Sequence, residues 1–172
     1  MRGKPSYDLP AIAPFPNGDN TMTATAPFAF EGREIAWRQF RALEGVYYHI
    51  LGVDVATETV DWLMKFDPGR ACVLHRHTGP TKTFVLEGEH HVFEPDGKGG
   101  FGHVARKAGT WAQSHGDNVH YESGGAAGGV IYLCMTGREG VIYDMLNDAL
   151  ESERAISVQD FKRGYDKAAA GG

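Results

Sequence analysis

The chain of 172 residues has no long basic block, no CxxC pair and no extended apolar run; the longest lies near VIYLCM, residues 130–135. Each absence removes a class of function. With 17 Lys and Arg against 22 Asp and Glu, and a net charge of -5, there is no electrostatic footprint for nucleic acid. There is equally no polybasic membrane segment. An apolar run of six residues is far short of the ~20 that span a bilayer. The N-terminal MRGKPSYDLPAIAP is broken by prolines and lacks a continuous apolar core, so no signal peptide is expected, and the cytoplasm is the expected location. Only two cysteines occur, Cys72 and Cys134, each inside an apolar run. They read as buried reduced thiols rather than a disulfide framework.

What is abundant is glycine, 23 residues, punctuating short apolar segments. That pattern predicts many turns and an all-β body, in a chain of the right length for a single domain. EIAWRQFRAL, VYYHILGVDV, TVDWLMKF, ACVLHRH and KTFVLEGEHHVFE carry β-branched and aromatic residues with partial alternation. Breaks are expected at Glu44-Gly45, at Asp67-Pro68-Gly69, over residues 94–100 and over the glycine-rich 123–129. The first strand of the KTFVLEG stretch is expected to end at Glu87-Gly88. Eight to ten short strands in series predict a sandwich or barrel. Ser157 precedes FKRGYDKAAA as the N-cap of a terminal helix. The expected organisation is an extended N-terminal arm over residues 1–30, a barrel over 31–145 and a helical tail over 146–172.

Eight histidines are present: His49, His75, His77, His90, His91, His103, His115 and His120. Residues i and i+2 of a strand face one side, so His75 and His77 can both point into a barrel. Two imidazoles there make a poor apolar core, because each carries polar nitrogens that need partners. They make good metal ligands. A third candidate arrives in GTWAQSHGDNVHY, where His120 follows a polar turn and His115 is its rival. His90 and His91 are sequence neighbours and face opposite sides, so at most one lines a cavity. His49 and His103 read as structural or exposed.

Gly69, five residues, His75-Arg76-His77, four residues to Lys82 and then Gly88 resemble the first motif of the cupin superfamily. Gly109 to His120 resembles a degraded second motif. The resemblance covers roughly residues 45–140 and implies a single-domain jelly-roll β-barrel. Lys82 takes the position where that motif usually carries glutamate, and an ammonium cannot ligate a cation. The resemblance then implies a three-histidine site of His75, His77 and His120, as in the acetylacetone (β-diketone) dioxygenase and 2,4'-dihydroxyacetophenone dioxygenase group. For that group the expectation is a dioxygenase with Fe(II), a small-molecule ketone substrate and O2, and a homodimer. Zn or Ni with isomerase or hydrolytic chemistry, and a non-enzymatic sensor cupin, are the alternatives. Lys82 points outward as a surface lysine or inward toward an anionic substrate. Glu122 is either a partner of a ligand histidine or solvated. The pairs Trp111/Gln113, Phe84/Leu86 and Trp62/Met64 each share a face, and an aromatic and aliphatic pocket wall is expected.

Overall fold

Turn-forming residues cut the chain into ten strands and one helix, seen in a computed structural model that describes residues 34–40 and 43–170. The expected arm over 1–30 lies outside the described residues. The strands are β1 (Arg38–Gln39), β2 (Val46–Asp54), β3 (Thr59–Phe66), β4 (His75–His77) and β5 (Thr81–Pro95). They continue with β6 (Phe101–Lys107), β7 (Trp111–Ser114), β8 (Val119–Thr136), β9 (Val141–Leu146) and β10 (Ser152–Ser157), and α1 (Val158–Ala170) follows.

The framework is a pair of long bent strands. β5 and β8 run antiparallel from Thr81↔Met135 to Phe93↔Tyr121. The far edge of β8 pairs with β3 through Thr59↔Thr136 to Phe66↔Gly129, and near its start with β4 through His75↔His120. β2 and β1 extend the β3 side; β9 and β10 extend the β4 side. β6 and β7 pair with the free edge of β5. The sheet curls into the jelly-roll half-barrel of an all-β single domain. Its core is filled by Val46, Val60, Trp62, Met64, Phe66, Val85, Ile131, Leu133, Met135 and Ile142, all at most 4% exposed. Trp62 and Met64 share this core-facing side, as their spacing predicts.

Five segments depart from the sequence reading. Residues 123–129 are no break: β8 passes through them as one strand, because glycine lets neighbouring backbones approach closely. A Cβ on Gly129 would lie 2.1 Å from the Glu89 carbonyl oxygen. Likewise β5 does not stop at Gly88. It continues to Pro95 across register shifts at Val85/Glu87 and Gly88/His90, with Gly88 at φ +64°. Among the described residues of 34–43 only the two-residue β1 forms, and 71–77 yields only the three-residue β4. The tail is not wholly helical, since β10 pairs with β9 before the helix begins.

The helix starts where Ser157 predicts. The backbone N–H of Asp160 donates to Ser157 Oγ at 3.2 Å, and Ser157 donates to Asp160 Oδ2 from its backbone N–H at 2.9 Å and from its hydroxyl at 2.6 Å. This reciprocal cap aims α1 at the barrel, where Phe161 meets Trp62 edge-on at 5.1 Å between ring centroids. No helix among the described residues is long and apolar enough to cross a membrane.

Candidate metal centre

The pleat assembles the site. His75 and His120 are directly opposed across the β4–β8 pair, so their side chains leave the sheet on one face. His77 lies two residues on from His75, and Glu122 two residues on from His120, so both join that face. Just beyond His77, Thr78 donates its backbone N–H to the Ile142 carbonyl at 3.1 Å and its hydroxyl to the Val141 carbonyl at 2.5 Å, tying the end of β4 to β9. Outside the barrel Arg76 pairs with Asp144 of β9, leaving the two histidines of the HxH inside.

The rings crowd together. Centroids are 4.5 Å apart for His75 and His120, 4.9 Å for His75 and His77, and 5.2 Å for His77 and His120. One ligand nitrogen from each of the three falls within 4.8 Å of the others, and all three residues are buried. His75 Nδ1–H donates to the Val73 carbonyl at 2.9 Å, which fixes the tautomer and leaves a lone pair on Nε2. That Nε2 lies 3.1 Å from His77 Nε2. Among the described residues His120 Nε2 has no hydrogen-bond partner although it is buried. Burial, then the neighbouring His75 ring, pulls His77 down to about 3 and His120 well below the usual imidazole value, so both are neutral at physiological pH. Neutral rings turning lone pairs on one point are the donor set of a divalent transition metal.

His115 is exposed, in the turn before β8, and is not part of the cluster. His90 faces the site and His91 does not. The shifts around Gly88 explain why: Thr81, Thr83 and Val85 are the buried residues of early β5, whereas His90 and Val92 face Glu122 after them. His90 is fully buried, with Nε2 2.8 Å from Glu122 Oε1. His91 is turned to Glu89 and His103 on the other side of the sheet. His49 lies 3.3 Å from the Ala36 carbonyl, at the surface.

Glu122 is a residue of the site, not a solvated one: it is 3% exposed. Burial alone would raise its carboxyl, but His90, by charge and hydrogen bond, then His120 and His75, outweigh that and hold it well below the usual carboxylate range. The missing glutamate of the first motif is also clarified. Lys82 points outward and is exposed, so the inward residue is its neighbour Thr81, whose hydroxyl has no partner among the described residues. Cys72 is buried and Cys134 half-buried; both are free thiols. Burial and then Glu122 push the Cys72 thiol well above its usual value, and its sulfur lies at 3.8 Å from His75 Nδ1, behind the ring.

The centre has a dry side and a wet side. Phe40, Trp62, Met64, Val73, Leu133 and Tyr143 pack against His75 and His77, leaving only about 20 Å³ of free space. On the other side a cavity of about 150 Å³ touches His77, His120 and Glu122 and opens outward past Thr81, Thr83, Gln113, Asn118 and Arg106. The expected aromatic wall therefore stands only behind the rings, while the open cavity has the aliphatic Val92, Ala112 and Leu133 among its lining. Trp111 is 55% exposed and is not a wall residue.

A half-barrel of antiparallel strands with three histidines converging inside defines a cupin. The family model of the ChrR cupin-like domain matches residues 25–138, and the chain belongs to that family. Among solved structures it is similar to an RmlC-like cupin protein from Ralstonia eutropha JMP134, at 15% identity and TM-score 0.66. That match covers 84% of this chain and 88% of the other. It is also similar to an acetylacetone dioxygenase from Acinetobacter johnsonii, at 16% identity and TM-score 0.63, covering 81% and 93%. At these identities the likeness is one of fold. No curated protein matches the sequence significantly.

Proposed function

We propose that the chain is a non-haem Fe(II) dioxygenase, with His75, His77 and His120 as metal ligands. It would cleave a carbon–carbon bond next to a carbonyl in a β-diketone or hydroxyketone-type substrate. The observation that carries this reading is the convergence of three buried imidazoles beside a cavity open to solvent. Iron bound there supplies the dioxygen chemistry and polarises the substrate carbonyl. The chain supplies the rest. The three rings approach from β4 and β8 and leave the cavity side for substrate. Thr83, Gln113 and Ser114 line that cavity and offer hydrogen bonds to carbonyl or enol oxygens, Arg106 offers a cation to an anionic one, and Val92 and Leu133 contact carbon. The packed wall behind His75 keeps water from the far side of the rings.

Size bears on the substrate. A cavity of about 150 Å³ is of the size that holds a benzene-like molecule. Pentane-2,4-dione is within that size, and the open mouth of the cavity leaves room for the larger hydroxyacetophenone as well. The test is anaerobic Fe(II) loading followed by oxygen uptake with each compound. Uptake with the diketone, lost in His77→Ala and His120→Ala, is expected; no substrate-dependent uptake with any diketone or hydroxyketone overturns the reading. A carboxylate within 4 Å of two of the rings also suits zinc, and with it non-redox isomerase or hydrolytic chemistry. Metal analysis of the purified protein, and activity compared across iron, zinc and nickel reconstitutions, separates the two.

A further inference from the structure

We infer that Glu122 is a fourth metal ligand, so that this cupin takes its carboxylate from the strand bearing its third histidine rather than from the first motif. The inference rests on the three-histidine reading and deepens it. Oε2 of Glu122 lies 3.9 Å from His75 Nε2, and Oε1 lies 3.7 Å from His120 Nε2. Donor atoms about 2.0–2.2 Å from a common cation are separated from one another by on the order of 3–4 Å; Glu122 meets that spacing to His75 through Oε2 and to His120 through Oε1, while the mutually close trio is His75, His77 and His120, so the carboxylate has to turn one oxygen further toward the rings to join them.

Two further facts point the same way. First, the carboxylate is oriented with one oxygen to spare. Oε1 accepts the His90 Nε2–H bond at 2.8 Å, which fixes the group and leaves Oε2 free to turn to the rings. His90 is fully buried and has no other visible task. Second, charge must balance. Every ion-pair partner of Glu122 among the described residues is an imidazole: His75, His90 or His120. A buried carboxylate surrounded by rings whose lone pairs converge calls for a cation among them. Thr81, the inward residue at the first-motif position, has too short a side chain and no charge to provide this. A divalent centre held by three imidazoles and Glu122 carries one net positive charge in place of two.

The experiment uses the full chain and cobalt(II) or zinc(II) alone as probes. Titration calorimetry and the cobalt visible spectrum are recorded for the unmodified protein, Glu122→Gln, Glu122→Asp and His120→Ala. The zinc-minus-apo infrared difference spectrum of the unmodified protein is recorded alongside. Expected are a fall in affinity of about tenfold or more in both Glu122 variants, an altered cobalt spectrum, and carboxylate bands that move on zinc addition. Glu122→Asp keeps the charge but shortens the reach, so retained affinity there refutes ligation and leaves only electrostatics. Unchanged affinity and spectrum in Glu122→Gln, or no shifted carboxylate band in the unmodified protein, overturns the inference while the histidine site stands. If the unmodified protein binds neither metal, or His120→Ala binds as well as it does, the histidine reading falls instead. The absence of a shifted carboxylate band overturns the inference even if the variants do not fold.

Discussion

Asn118 adjoins the His120 ring and bears on its tautomer. Its amide nitrogen Nδ2 stands 2.9 Å from His120 Nδ1, and its Oδ1 has no partner among the described residues, so exchanging the two amide atoms gives both a use. The oxygen and nitrogen of an amide are assigned from the bonds they make. With Oδ1 toward the ring, Asn118 accepts from Nδ1–H and His120 Nε2 keeps its lone pair for a cation. Replacing Asn118 by Leu is expected to weaken zinc affinity by about tenfold, while Asp, which keeps an acceptor, largely restores it. Equal losses in calorimetric titrations of the two variants would show that the amide plays no part. Glu122 and His90 belong to this scale as well. The sequence names Glu122 as a candidate partner of a ligand histidine, with a solvated position as the alternative, and the structure decides for the first. His90 could not be placed from the sequence, because its face depends on the register shifts around Gly88.

Among the elements, the paired bends of β5 and β8 position the site. Early β5 buries Thr81, Thr83 and Val85, and simple alternation would carry His91 inward next; the shifts hand that place to His90. Gly129 lies at the bend, where a Cβ would meet backbone at 2.1 Å that cannot swing aside. Gly129→Ala is expected to cost about 1–3 kcal/mol, read as a lowered midpoint of denaturant unfolding; an unchanged midpoint would mean the bend is not constrained there. The helix cap makes a second prediction. Ser157→Ala should cost about 1 kcal/mol. Hydrogen bonds from the Ser157 hydroxyl and backbone, with Arg163 helping, hold the Asp160 carboxyl below its ordinary value. A depressed carboxyl stabilises the fold above its unfolded value of about 4 and loses that contribution as pH falls through the folded value. The stability gap between the unmodified protein and Asp160→Ala should therefore close in thermal melts below about pH 4. A gap constant from pH 7 to 3 would contradict this.

Across the whole molecule, a cation at this centre would tie together strands distant in sequence. His75 and His77 come from β4 and His120 from β8, and β4 is only three residues long, held by pairing to β8 and β9. A ligand that binds only the folded state at a hundred times its dissociation constant stabilises by about 2.7 kcal/mol. In a chain of this size that raises the melting temperature by roughly 5–10 °C. Differential scanning fluorimetry with and without zinc checks it, and His77→Ala should abolish the rise. A shift that persists in His77→Ala would place the metal elsewhere. The same scale explains what was readable beforehand. The all-β body, the number of strands and the terminal helix follow from local patterns: β-branched and aromatic segments, turn residues and an N-cap; the HxH pairs two histidines, and His120 joins them only through the resemblance to the cupin motif.

The sequence by itself determined that two histidines share one strand face and that a third waits after a polar turn, because alternation along a strand is a local property. Only the tertiary structure decided that His120 stands opposite His75, that Lys82 faces out and Thr81 in, and that Glu122 and His90 complete the cluster. Those outcomes depend on register between β4, β5 and β8, and register is set by bulges and by packing between strands tens of residues apart, which no local pattern encodes.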